Sequence, residues 1–401
     1  MNLPSFWNPL TPAEGIYTFG YYDRHPWSTD NRWHLTLKIP HQERLPTPEE
    51  RAQIGIVETG TQTFTPLTET RTWCHQQGAM TLWLPRQSRQ FLYNDWNEDT
   101  QSVTAHLYDL DEGLRRRYPM PVYNISPDGR YAVSLNFSRI PRRGYSYAMT
   151  PLPEGHLEPD WDNDGLFLMD LETAETTLLI SYRQLKAIHL TPWELDRQYL
   201  WLNHAIFNID GSRLMVLFRH RPERDRGRWS TNLITCDLQG KDIRYPINNL
   251  LWRGAITHQI WGRYPDEILV DANWTMWERP EYVVIRETQT PPQAQRISAG
   301  CGKPGHLNFS PDGQWMLADT YPHDGIQTLC LVRVSDGECR IAGQFRHDVP
   351  GVGGDWRCDL HPRWSPDGSL ISVDTIHRGN RAIYWAKLED ILAEFEHLPS
   401  P

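Results

Sequence analysis

Phe309-Ser310-Pro311-Asp312-Gly313 returns as Trp364-Ser365-Pro366-Asp367-Gly368 and as Ile125-Ser126-Pro127-Asp128-Gly129, and each copy runs into an apolar strand. Pro fixes φ, Asp bonds its own backbone and Gly accepts positive φ, so the motif reads as a tight turn joining two strands. In two copies a histidine stands four residues ahead of the serine, His306 and His361. Two degenerate copies keep that offset, His204 before Asn208 and His258 before Gly262. Four histidines therefore share one structural address.

Counting one unit from each inner-strand start gives seven, near Tyr21, Gln77, Val122, His204, His258, His306 and His361. The later starts are spaced by about 50 residues, the length of one four-stranded propeller blade. Helical repeats of that length carry a 3.6-residue period, whereas Trp315-Met316-Leu317-Ala318-Asp319 alternates. The expectation is an all-β chain: one domain over residues 1–401, a seven-bladed β-propeller of four-stranded antiparallel blades. Polar turns such as Leu110-Asp111-Glu112-Gly113 and Val334-Ser335-Asp336-Gly337 punctuate the outer strands. Thr191-Pro192-Trp193-Glu194 is a capping box with Pro at the first helical position, predicting a short helical insertion in the fourth unit. A C-terminal helix is expected from Leu388 to Phe395. Ile140 to Asp164 reads as a long loop in the third unit, of the kind that shapes a binding face.

Forty basic against 50 acidic residues leave a net charge of −10, which argues against nucleic acid, because phosphate-backbone affinity comes from clustered Lys and Arg. The basic run from Arg221 to Arg228 interleaves acids and a glycine, and reads as a solvated loop or as a rim contact for an anion. The six cysteines show no CxxC pair and no framework spacing. No run approaches the roughly 20 apolar residues that span a bilayer, and the first residues resemble no leader, so a soluble cytoplasmic protein without a membrane partner is expected. Eighteen Trp and 17 Tyr suit sugar rings as well as packing between sheets.

In a propeller the innermost strand starts on one face and its partner returns there, so residues before the first strand and after the second converge. The first set is His204, His258, His306 and His361, with Gln76 and Gln77 leading the second unit. The second set contains Asn94 and Asp95, Arg139, Arg219, Asp271 and Asn273, Asp319 and Tyr321, and Asp374 and His377. Together they outline a polar, aromatic-walled funnel suited to an oligosaccharide or another polar small molecule. Blade packing repeats a residue as readily as a site does, so the histidines read either as structural or as a metal or catalytic constellation. Asp359, two residues before His361 and on the same side of an extended segment, adds an oxygen ligand. Nitrogen with oxygen accepts manganese, zinc or iron. Asp319 and Asp374 read as strand-end caps, as contacts to sugar hydroxyls, or as groups orienting a histidine.

With these residues in hand, the chain resembles the oligogalacturonate lyase group of TolB-like propellers. The resemblance rests on the Ser-Pro-Asp-Gly blades, Phe19-Gly20-Tyr21-Tyr22-Asp23 with Pro26-Trp27, Gln76-Gln77-Gly78 to Asn94-Asp95, Gly305-His306 to Asp319-Thr320-Tyr321, and Asp359-Leu360-His361-Pro362. It spans essentially the whole chain. It implies a seven-bladed ring binding a divalent metal, manganese first, through histidines and a glutamine, with a further histidine as base. By register His306 and His361 match metal ligands, with His204 and Asp359 as further candidates, and His258 matches the base. The chain departs from the pattern at Trp356-Arg357-Cys358-Asp359, where the family carries a glutamine and another histidine. The implied reaction is β-elimination from a uronate. A general base contributes about 100- to 10,000-fold, short of the roughly million-fold or more typical of enzymes, so the carboxylate charge must also be stabilised. Metal, Arg219, Arg139 or Arg357 would do this, and Tyr321 would protonate the leaving oxygen. The rival is a non-catalytic propeller binding glycan or protein through the same funnel. A glycoside hydrolase would have to use Asp319 with Asp374 as its carboxylate pair. A peptidase is disfavoured, since Gly144-Tyr145-Ser146-Tyr147-Ala148 lacks the second glycine of a nucleophile elbow.

Overall fold

The computed structural model describes residues 3–141, 144–150, 158–224, 229–247, 255–273, 281–289, 294–299 and 304–397. Parts of the expected long loop (142–143 and 151–157), residues 225–228 of the basic run, Trp274 and Cys301 lie outside them. The strands form seven four-stranded antiparallel sheets, which makes the chain a seven-bladed propeller. The innermost strands are Tyr17–Thr18, Leu82–Trp83, Asn124–Ile125, Tyr199–Phe207, Ala255–Trp261, Pro304–Phe309 and Arg363–Trp364. The seventh blade takes its fourth strand from the other end of the chain: Asn8 pairs with Trp385 and Pro9 with Tyr384. Closing the ring this way leaves no open edge between first and last blades.

The repeated turn works through its hydroxyl. Ser310 Oγ donates to Asp312 at 2.5 Å and accepts the Trp315 N–H at 3.0 Å, pinning the hairpin at both ends. Ser126 and Ser365 repeat the pair of bonds, and so does Ser28 with Asp30 and Trp33. Ser28-Thr29-Asp30-Asn31 is thus a fourth copy, with Asn31 at φ 58° where the others use glycine. The aromatic just before the turn clasps the previous blade: Trp83, Trp261 and Trp364 donate their indole N–H to the backbone oxygens of Pro26, Ile206 and Asn308. Part of the high tryptophan count is therefore structural.

A capping box does start a helix between the third and fourth blades, but it is Ser181 with Gln184, ahead of α1 (Tyr182–Ile188). At the expected position Pro192–Leu195 makes only a 3-10 turn, because the Thr191 hydroxyl is spent on Glu194 at 2.9 Å and caps no backbone N–H. The C-terminal helix, α2, spans Leu388–His397. Cys74, Cys236, Cys330 and Cys358 are free and buried, and burial pushes each thiol up to about 12, so none is a thiolate near neutral pH. Among the described residues no helix is long and apolar enough to cross a membrane.

Candidate active site

The histidine address lies at a break in strand register. The innermost strands slip between Asn203 and Ile206, between Thr257 and Ile260, and between Pro304 and Leu307. A bulge inserts one residue and re-aims a side chain, here from the blade toward the ring axis. His204, His258 and His361 hold left-handed backbone at φ 53°, 52° and 43°. Such conformations cost non-glycine residues about 1–3 kcal/mol each and persist where surrounding structure enforces them. Met80 repeats the conformation at φ 53°, four residues ahead of Leu84. The address thus reads Arg24, Met80 and Val122 in the first three blades and four consecutive imidazoles in the rest.

Those imidazoles meet. Ring centroids of His258 and His306 lie 4.4 Å apart, and those of His306 and His361 4.2 Å apart. Tyr21 fills the remaining space, stacked on His204 at 4.9 Å and packed 5.3 and 4.8 Å from His306 and His361. Its segment reaches the axis by touching the Gln77 backbone: a Cβ on Gly20 (φ 140°) would stand 2.8 Å from the Gln77 carbonyl, and one on Gly78 2.3 Å from the Phe19 oxygen.

The four rings have different partners. His258 Nδ1 lies 3.0 Å from Asp271 and Nε2 3.1 Å from the Tyr321 hydroxyl. A carboxylate only accepts, so Nδ1 carries the proton and Nε2 accepts from the phenol. His204 Nδ1 meets the Tyr123 hydroxyl at 3.1 Å, and Gln77 Nε2 donates to that hydroxyl at 2.7 Å. The phenol proton then points to Nδ1, and His204 carries its own on Nε2. Burial holds His204, His306 and His361 well below the usual imidazole range, so they are neutral.

His306 and His361 make a second group with Asp359. Nε2 of each ring and Oδ1 of Asp359 are buried without a hydrogen-bond partner. Ligand atoms of the three residues lie within 4.8 Å of one another. Unpaired buried acceptors on neutral imidazoles beside a carboxylate fit a cation. The other Asp359 oxygen accepts from Arg357 Nε at 2.7 Å. Asp319 stands behind, accepting the His306 N–H at 2.5 Å and the His361 N–H at 3.1 Å.

Above the rings opens a cavity of about 120 Å³. Its charged walls are Arg219 and Arg357, its imidazoles His204 and His258, and its aromatic walls Tyr145, Trp201, Trp229 and Tyr321. Among the described residues lining it there is no Asp or Glu. Burial works against the Arg357 charge, and Asp359, Tyr145 and Tyr321 together more than offset that, holding the guanidinium above its usual range. A larger cavity, about 700 Å³, opens on the opposite face among the turns and the clasping aromatics, away from the four rings.

Arg219, Arg357, Tyr321, His204 and His258 line the cavity; other residues of the expected funnel stand elsewhere. His204 stands outside the His306–Asp359–His361 group, bound to Tyr123 instead. Asn94 clasps the third blade, exchanging bonds with Val122 and meeting Tyr147. Asp95 accepts from Thr70 and Arg71. Arg139 donates to the Leu200 oxygen between the rings of Tyr182 and Tyr199. Asp374 binds Thr18, Phe19 and Arg363, and His377 accepts the Arg346 N–H beside Phe345. These five serve the joints between strands, where backbone groups need polar partners. Gln76 and Gln77 are buried behind the site, Gln76 donating to the Arg357 oxygen. Asp271 and Asp319 sit beneath the imidazoles. The side chain of Asn273 lies outside the described residues. Tyr145, Trp201, Trp229, Asn203 and Gln259 complete the walls without having been singled out. Only Tyr145 carried a signal, its place in the long loop of the third unit.

No protein-family model and no curated protein matches the chain. Among solved structures, an oligogalacturonate lyase in complex with manganese superposes with a TM-score of 0.63 at 17% identity, over 96% of this chain and 94% of that one. The oligogalacturonate lyase of Vibrio parahaemolyticus gives 0.63 at 15% identity, over 96% and 97%. This chain shares their fold. The tricorn protease follows at 0.57 and 11% identity, with 97% of this chain covering 34% of that one.

Proposed function

We propose that this protein is a lyase-like enzyme that cleaves uronate-containing oligosaccharides by β-elimination. The observation that carries the reading is the Asp271–His258–Tyr321 relay facing a cavity with two guanidinium groups and no carboxylate on its described walls. The cavity favours an anionic substrate, and the relay handles protons inside it.

With substrate bound the Tyr321 O–H turns from Nε2 to the C4 oxygen. His258 Nε2, its lone pair freed, takes the proton from C5, beside the uronate carboxylate, while Asp271 steadies the imidazolium through Nδ1–H. The C–H electron pair becomes the C4–C5 double bond, and the C4–O bond breaks with its pair on the leaving oxygen. Tyr321 supplies that oxygen with its proton. Burial holds this phenol well above its usual range, so it keeps the proton until the leaving oxygen develops charge. His258 then returns a proton to Tyr321 across their 3.1 Å bond, and the relay is restored. Arg357 and Arg219 neutralise the charge that builds on the carboxylate, the part of the barrier that a base leaves untouched. His204 adds a neutral Nε2–H donor.

A divalent cation, manganese first by analogy with the similar lyase, would be held by His306 Nε2, His361 Nε2 and Asp359 Oδ1, and would supply further positive charge for the carboxylate. Incubation with uronate oligosaccharides, with and without manganese, is expected to produce the absorbance of an unsaturated uronate. His258→Ala should abolish it and spare binding. Binding without turnover in the parent protein would favour a non-catalytic glycan-binding propeller instead.

A further inference from the structure

The base and the acid of the proposed reaction touch each other, and that restricts which sugars they can serve. His258 Nε2 and the Tyr321 hydroxyl are 3.1 Å apart, the length of one hydrogen bond. No sugar ring fits between them, so both approach a bound ring from the same side. The geometry points to a syn elimination, and therefore to 4-linked uronates whose C5 hydrogen and C4 oxygen lie on one face of the ring: D-gluco or D-manno rather than D-galacto. This rests on the lyase reading given above.

In a D-gluco or D-manno uronate the C5 hydrogen and the C4 oxygen project to the same face. Proton removal and proton delivery then fall to adjacent atoms. In a D-galacto uronate they project to opposite faces, and a base and an acid must flank the ring. His204, also on the wall of the cavity, does not complete that arrangement. Its neutral Nε2–H donates a hydrogen bond, but losing that proton would leave an imidazolate, since Nδ1 is already an acceptor from Tyr123. Arg219 and Arg357 keep their protons. Tyr321, by contrast, recovers its proton from the imidazole that has just received one. Arg357 lies over the Tyr321 ring at 5.4 Å, which puts a guanidinium beside the relay for the carboxylate that C5 carries at the ring edge.

The test compares a 4-linked glucuronate oligosaccharide with a galacturonate oligosaccharide of equal length, reading the absorbance of the unsaturated product. The gluco substrate is expected to be cleaved with kcat/KM at least about 100-fold higher, the smaller end of what a correctly placed general acid contributes. Tyr321→Phe should lower kcat on it by a similar factor and leave binding intact. A preference for the galacto substrate, or a full rate in Tyr321→Phe, overturns the syn assignment and leaves the lyase reading standing. Absence of unsaturated product from both sugars overturns the two together.

Discussion

Asp319 of the sixth blade accepts the backbone N–H of His361 in the seventh, 3.1 Å from Oδ2, while its other oxygen takes the N–H of His306 at 2.5 Å. One carboxylate thereby sets the spacing of two imidazoles on different blades. It lies so close to Gly305 that a Cβ there would stand 2.1 Å from Oδ1. Asp319→Asn cannot accept on both sides, because its NH2 group must oppose one of the N–H donors. Outer partners of metal ligands are typically worth about 10–100-fold in metal affinity. Calorimetric titration with manganese is expected to show a loss of that size for Asp319→Asn, and a comparable one for Gly305→Ala. Unchanged affinity in both would remove Asp319 from this role.

Asp374 holds the equivalent strand position one blade on, yet does something else. It accepts from Thr18 and Phe19 of the first blade and from Arg363, whose guanidinium is fully buried. It is part of the joint that closes the ring. Asp374→Ala strands a buried guanidinium, which typically costs about 3–5 kcal/mol. Denaturant unfolding should register a loss in that range, and activity per folded molecule should be unchanged.

Asp319 and Asp374 mark where the sequence stops being legible. The turn motif is local chemistry, a serine, an aspartate and a glycine within five residues, so its recurrence revealed the ring and the constant offset revealed the four histidines. What an aspartate at the end of the second strand binds depends on the neighbouring blade, which lies far away in sequence. Hence Asp319 under two imidazoles and Asp374 under Thr18 read alike. Ser28-Thr29-Asp30-Asn31 escaped notice because Thr and Asn replace Pro and Gly while making the same bonds. Asn8 and Pro9 escaped because a two-residue strand carries no periodicity. The bulge that turns the histidines inward leaves no compositional trace beyond their fixed distance from the turn.

His34 gives the fold a pH dependence. Its ring is fully buried against Phe19 and Trp27, with Thr36 and Ser372 on its nitrogens, and burial, aided by Arg363, holds it well below the usual imidazole range. The unfolded chain binds that proton near pH 6.5 and the folded chain does not. Stability from this group is therefore complete above about pH 6.5 and lost as pH falls below it, by up to about 1.4 kcal/mol per pH unit. Denaturant midpoints measured from neutral pH downward should fall, and His34→Gln should flatten the slope. A midpoint independent of pH over that interval would contradict the assignment.

His204 and His258 face one cavity with opposite polarity, and the difference is set behind them. Asp271 can only accept, so it fixes the His258 proton on Nδ1; the Gln77–Tyr123 pair delivers a proton toward Nδ1 of His204 and so fixes the proton of that ring on Nε2. One ring then offers the substrate a lone pair and the other an N–H. In protein carrying 15N-labelled histidine, His204 should appear neutral and Nε2-protonated near pH 7, and His258 Nδ1-protonated. Tyr123→Phe removes the donor behind His204 and should mix its tautomers while leaving the His258 signals in place. The loss of one preset donor to developing charge is typically worth about 100- to 1,000-fold in kcat, and Tyr123→Phe, which only loosens that donor, should fall at or below the lower figure with KM little changed. An Nδ1-protonated His204 in the parent protein would instead make the phenol an acceptor, reverse the Gln77 amide, and leave the cavity with two lone pairs and no neutral imidazole donor.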